Sequence, residues 1–201
     1  MAPEKDPLAP LLSALHNLVD WFTAERVSGM VIGGVAASIL GRPRLTRDVD
    51  AVILMDQADW ETFLNAGARF GFHPRRSDSL AFATRTRVLL VHHAPSGIDV
   101  DIAFGALPFE KEAISRMSWV DVGGVSVPLP RPADLIVMKA VANRPRDKAD
   151  IEAILDAHPK LDLRAARRYV REFASTLEMP EILNDFETIV AKRRRRKNRS
   201  T

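Results

Sequence analysis

The chain contains no cysteine, which excludes a disulfide framework and any thiolate metal site and suits a reducing compartment. Long apolar runs are also missing. The longest is broken by Gly and Ser well short of a membrane span, and the opening MAPEKDPLAP has no apolar signal core, so a cytoplasmic protein without membrane contact is expected. No internal repeat is present. Acid is absent from Lys192 to Arg199, a stretch with seven basic residues, and without those charges the formal +3 of the chain becomes −4. The basicity therefore belongs to the end of the chain, where residues 191–201 read as a disordered cationic tail that attracts nucleic acid or simply aids solubility.

What is present is ordinary globular material. The 201 residues are 46% hydrophobic and 27% charged, enough for one core with a helical annex. The pattern divides the chain into a core over 1–158, a helical extension of the same domain over 159–190, and the tail.

The organising stretch is Met30 to Leu54, MVIGGVAASILGRPRLTRDVDAVIL. Met30-Val31-Ile32 is too short and too β-branched for a helix and reads as a buried strand. Gly33-Gly34 then allows a sharp turn, and Ala36 to Leu40 fit a short helix. Amides at such a turn suit a phosphate, although a glycine pair after a strand also serves as a plain turn. Further on, Asp48 and Asp50 begin the apolar run Ala51 to Met55. Residues two apart on a strand share a face, so the two carboxylates point the same way. Like charges this close resist joint ionisation unless a cation neutralises them, and hard oxygen ligands suit Mg²⁺ or Mn²⁺.

Leu8, Leu11, Leu12, Leu15, Leu18, Val19 and Phe22 recur at helical spacing, and Trp60 to Phe70 form a second amphipathic helix stopped by Gly71. From Leu80 the pattern reads as strands: Leu80 to Ala83, Arg87 to His92 and Ile98 to Phe104, the last two paired as a hairpin through Ala94-Pro95-Ser96-Gly97. Asp99 and Asp101 share a face, and a strand beside Asp48 and Asp50 would bring a third acid to the same edge. Which of the two supplies it stays open. Three converging carboxylates form the ligand set of a two-metal phosphoryl-transfer site. His92 and His93 are assigned nothing.

Pro108 opens a helix to about Met117, and a hairpin follows through Gly123-Gly124. Arg131-Pro132-Ala133-Asp134 starts the helix Leu135 to Ala142, with Arg131 a poor cap. Its odd residue is Lys139, which either snorkels to solvent or points to the sheet edge as a point charge for a triphosphate. Asp147 is a candidate N-cap for a helix Lys148 to Ala157, and Asp150 is placed to orient Lys139 or an arginine.

Taken together, Gly33-Gly34, Arg44-x-Thr46-x-Asp48-x-Asp50, Val100-Asp101-Ile102 with Leu107-Pro108-Phe109-Glu110, Lys139, and Arg144-x-Arg146-Asp147-x-x-Asp150 resemble the minimal nucleotidyltransferases. The likeness is greatest to the AbiEii-like toxin branch of type IV toxin–antitoxin systems and covers about Met30 to Leu155. It implies an α+β nucleotidyltransferase fold, a mixed β-sheet flanked by helices with a C-terminal helical extension. It further implies transfer of a nucleoside monophosphate from an NTP to an acceptor hydroxyl with Mg²⁺ or Mn²⁺. By position, Asp48, Asp50 and Asp101 would hold the metals, Asp101 serving as a ligand or as general base. Gly33, Gly34, Arg44, Thr46, Lys139 and Asp150 would surround the nucleotide, with Lys139 also counted among the catalytic residues. Gly34 and Arg131 depart from the commoner family pattern, which often has Ser at the first of these and a Ser or Thr cap at the second.

The acceptor is less legible. Arg164, Arg167, Arg168 and Arg171 flank the apolar helix face of Ala166, Tyr169, Val170, Phe173 and Leu177, and an arginine stripe with a basic arm suits an RNA such as a tRNA 3′ end. A small hydroxylated molecule of the aminoglycoside kind and a non-catalytic nucleotide- or RNA-binding protein are the alternatives. An antitoxin protein is a further expected partner.

Overall fold

The structure, a computed structural model, describes residues 7–44 and 46–199, with the side chains of 194–199 left aside. Leu45 of the Arg44-x-Thr46 motif and the last two residues of the tail lie outside the described residues.

Two compact units divide the chain. Among the described residues the first comprises 7–35 and 46–129, the second 36–44 and 130–199. The division between these units falls near residue 130, and the helices on either side of residue 158 lie in the same unit.

In the first unit the apolar periodicity of the N-terminal segment gives helix α1 (Ala9–Ala24), with Pro10 in the first turn where its missing N–H costs nothing. The segment after it forms β1 (Ser28–Ile32), and helix α2 (Gly33–Leu40) begins at the glycine pair, three residues before the expected start. Strand β2 (Asp48–Leu54), helix α3 (Trp60–Gly67), β3 (Phe72–Pro74), helix α4 (Ser79–Thr86), β4 (Val88–His93) and β5 (Ile98–Phe104) follow. Then come α5 (Pro108–Ser115) and the ribbon β6 (Ser118–Val122) and β7 (Val125–Leu129).

The sheet is mixed, in the order β1-β2-β5-β4-β3. β2 and β5 are parallel and every other neighbouring pair is antiparallel. Leu80 to Ala83, expected as a strand, lie in α4. A four-residue apolar run does not by itself distinguish the two, and here Thr84 and Thr86 close their hydroxyls on the carbonyls of Leu80 and Phe82 as only a helix allows. The strand on that side of the sheet is instead Phe72–Pro74, too short to announce itself.

One core cluster joins α1, α3 and the sheet. Trp21 stacks on Phe63 at 4.2 Å and on Phe72 at 5.1 Å between ring centroids, a geometry worth about 0.5–1.5 kcal/mol beyond burial. Gly67 permits this, since a Cβ there would stand 2.7 Å from the Trp21 ring.

The second unit is helical: the later part of α2, then α6 (Pro132–Ala142), α7 (Pro145–Ala157), α8 (Arg164–Thr176) and α9 (Pro180–Arg199). Leu135, Ile136, Val137, Ile151, Ile154, Ala166, Val170, Ile182 and Phe186 are among its buried side chains. Helix α7 starts at Pro145, earlier than expected. Asp147 acts from the first turn and not from the cap, its Oδ2 accepting the Arg144 N–H at 3.3 Å. The backbone of α9 is helical through the basic run as far as Arg199. No described helix is long and apolar enough to cross a membrane.

Candidate active site

Alternation along β2 and β5 sorts the acids from the core. On β5, Val100, Ile102 and Phe104 are buried while Asp99 and Asp101 are half-exposed, and on β2 Val49 and Ala51 are buried while Asp48 is exposed and Asp50 partly so. The parallel register sets Asp50 beside Asp101 and Asp48 beside Asp99, and paired residues on neighbouring strands stand about 4.8 Å apart. Four carboxylates therefore share one face.

The same two rows extend across the sheet. Ile32 pairs with Asp50 on one side, and Leu90 pairs with Asp101 on the other. Beyond Leu90 the chain leaves β3 at Arg75, whose N–H donates to the Leu90 carbonyl at 3.0 Å. The second row runs Asp48, Asp99, His92, His73.

Arg75 is the functional candidate that sequence reasoning missed. Its Nη1 donates to Asp99 Oδ2 at 2.9 Å and its Nη2 to Asp101 Oδ1. His92 Nδ1 lies 2.7 Å from the other Asp99 oxygen. These contacts separate the two acids. The hydrogen bond from His92, followed by Arg75, holds the Asp99 carboxyl below the usual carboxylate value. Burial drives Asp101 the other way, aided by the negative charges of Asp48 and Asp99 and opposed by Arg75.

Gly33 closes the site from β1. It adopts φ +63, and a Cβ built there would collide with the Asp50 carboxylate. Only glycine supplies both the left-handed backbone and the room. Gly34 follows in the first turn of α2, and Thr46 is half-buried just before β2. Glu110, part of the Leu107-Pro108-Phe109-Glu110 run, has a structural role. Its Oε2 accepts the N–H groups of Ala106 and Leu107 at 2.7 and 2.8 Å and caps α5.

The second unit holds the other expected residues as a cluster of its own. Lys139 is 7% exposed and does not snorkel. Its Nζ lies 2.8 Å from Asp147 Oδ1 and 2.9 Å from Asp150 Oδ2. Arg44 donates to both Asp150 oxygens, at 3.0 and 3.1 Å. Two cations thus face two buried carboxylates, and a triphosphate would have to compete with those acids for Lys139 and Arg44. Three arginines of the α8 stripe are likewise engaged, Arg164 with Asp162, Arg167 with Glu187 and Arg168 with Glu172.

Among the described residues no three His, Asp or Glu side chains already stand in an arrangement that encloses a metal ion. The donor set of the sheet face nevertheless suits a hard divalent cation. Carboxylate oxygens come from two adjacent strands, burial raises Asp101 above its ordinary value, and a guanidinium has been drawn into the charge they leave.

This arrangement, a mixed sheet flanked by helices, is that of the nucleotidyltransferase fold. The antibiotic-resistance factor ANT(2″)-Ia, in its solution structure, shares it with a TM-score of 0.58 at 13% identity, over 85% of this chain and 95% of that one. An antigenic nucleotidyltransferase-like protein from Paracoccidioides brasiliensis matches with a TM-score of 0.51 at 13% identity, over 89% of this chain and 93% of its own. At such identity the likeness is one of fold. Residues 11–189 match the family described as nucleotidyl transferase of unknown function (DUF2204), and the chain belongs to that family. No curated protein matches the sequence. The family makes the chain a nucleotidyltransferase, which implies a nucleoside triphosphate as substrate.

Proposed function

We propose that the sheet face carries the chemistry: transfer of a nucleoside monophosphate from an NTP to an acceptor hydroxyl, the α–β phosphoanhydride bond breaking to release pyrophosphate, with a divalent cation held by Asp48, Asp50 and Asp101. The observation that carries this reading is the parallel register that puts Asp50 beside Asp101 and Asp48 beside Asp99. Asp101 is favoured over Asp99 as the third carboxylate, because Asp99 is already held by His92 as well as Arg75. Mg²⁺ or Mn²⁺, when bound, would supply positive charge to the triphosphate oxygens. Gly33 and Gly34 would offer backbone N–H groups to the same phosphates at the start of α2. Asp101 would either share in holding the divalent cation or, left unligated, accept the proton of the acceptor hydroxyl as general base.

RNA is the acceptor of first choice, a tRNA 3′ end being the type. The support is the run of seven cations from Lys192 to Arg199, which adds phosphate attraction without base readout. Uncontrolled transfer onto RNA would make the protein toxic, in line with the AbiEii-like branch that its motifs resemble, and would call for an antitoxin. The test is incubation with each α-³²P-NTP, Mg²⁺ and total tRNA, beside a panel of hydroxylated small molecules. Label in RNA that Asp48→Ala abolishes is the expected result. Label in a small molecule alone would overturn the acceptor, and no label anywhere would leave a binding protein. Growth arrest on expression, relieved by Asp48→Ala, would support the toxin reading.

A further inference from the structure

The acid face of the sheet holds a cation of the chain's own. The Arg75 guanidinium spans Asp99 and Asp101, one nitrogen to each. It is anchored from behind, since its backbone N–H continues the pairing of β3 with β4 at the Leu90 carbonyl. The Arg75 side chain keeps 26% exposure, and those of Asp99 and Asp101 keep 44% and 41%, so the bridge lies at a surface from which a long side chain can swing without disturbing the core. Asp101 is the acid beside Asp50. Arg75 holds one oxygen of Asp101, so a metal that draws on Asp50 and Asp101 together competes with the guanidinium for the charge of that carboxylate.

We propose that Arg75 is an exchangeable counter-ion of the active site: it neutralises Asp99 and Asp101 until a metal–nucleotide complex arrives, then yields Asp101 to the metal and turns to a phosphate of the same complex. The inference rests on the metal-dependent reading above. A planar guanidinium pairs with carboxylate or phosphate through the same two-pronged geometry, so the exchange replaces one set of charge-assisted bonds by another. Free metal offers Arg75 no new partner, and free triphosphate offers the acids none. Each therefore binds weakly alone, and the two bind well together.

Arg75→Ala separates the consequences. Titration of Mn²⁺ alone, followed by electron paramagnetic resonance, should show about tenfold tighter binding in Arg75→Ala than in the parent, since no side chain then competes. Affinity for a nonhydrolysable NTP in the presence of Mn²⁺ should fall by about the same factor, and Arg75→Lys should lie between. Thermal melting checks that each variant is folded. Equal Mn²⁺ binding by parent and Arg75→Ala, or weaker binding by the variant, would overturn the exchange and leave the metal site standing. If neither protein binds Mn²⁺, the metal-dependent reading itself fails.

Discussion

Asp99 and Asp101 lean on one guanidinium, that of Arg75, yet their carboxyl groups are driven apart: Asp99 below its ordinary value by His92 and Arg75, Asp101 above it by burial. Two acids on one strand face thus acquire different characters from their neighbours alone. Asp99 is a settled partner, and Asp101 is a charge the fold holds against its preference.

Asp101 is accordingly expected to be a source of instability in metal-free protein. Its folded carboxyl titrates above the ordinary 3.8, so the native state holds the proton more firmly than the unfolded chain. That advantage is full below 3.8 and is lost as pH rises through the raised value, leaving a deficit at neutral pH. Asp101→Asn should therefore raise the melting temperature at pH 7 in chelator by about 1–2 °C, a few tenths of a kcal/mol after solvent screening. At pH 3 the gain should vanish while nucleotidyl transfer stays abolished. A lower melting temperature for the variant at pH 7 would refute the assignment.

Gly33 and Gly97 offer a matched comparison. Both have positive φ, +63 and +72, but a Cβ at Gly97 meets nothing within 4 Å whereas one at Gly33 meets the Asp50 carboxylate. Gly97→Ala should cost about 1 kcal/mol of backbone strain and leave activity intact. Gly33→Ala should cost at least as much and lower kcat about 100-fold by displacing Asp50. Equal activities in the two variants would show that the close approach has no functional weight.

Lys139 is expected to matter for folding first. Its Nζ serves the buried carboxylates of Asp147 and Asp150, and Lys139→Met strands them with one cation, Arg44, on Asp150. A loss of about 3 kcal/mol in urea denaturation is expected. Adding Asp147→Asn to Lys139→Met should recover part of it. A stable, inactive Lys139→Met would point instead to direct contact with substrate.

His93 sets an acid limit. The ring is fully buried, between Asn17 Nδ2 at Nε2 and Ser96 Oγ at Nδ1, 2.8 and 2.6 Å away. Burial, with the neighbouring His92, lowers its value below 6.5. The stability it contributes is present above 6.5 and is lost as pH falls from there through the lowered folded value, where the ring must take up a proton. Melting temperatures between pH 7 and 5 should decline more steeply for the parent than for His93→Gln.

Much of the fold is legible in the residues because it is local. Period-two alternation marks the faces of β2 and β5, the glycine pairs mark the start of α2 and the turn between β6 and β7, and Pro132 marks the start of α6. Legibility fails where the signal is short or shared. Leu80 to Ala83 fit either element, and Pro145, a helix-start signal in plain view, competes with Asp147 for the start of α7. Within the α8 stripe Arg167 reads as open because its partner, Glu187, comes from another helix.

The sequence by itself determined which acids share a strand face, since the two-residue period of an extended chain is a property of the backbone and needs no neighbour. Only the tertiary structure decided that β5 lies parallel to β2 with Asp101 at the level of Asp50, that Arg75 bridges Asp99 and Asp101, and that Lys139 is buried between Asp147 and Asp150. Those pairings join residues between 8 and 51 positions apart in the chain, and nothing in local propensity selects a partner at such a distance. The packing of the sheet and of the helices selects it.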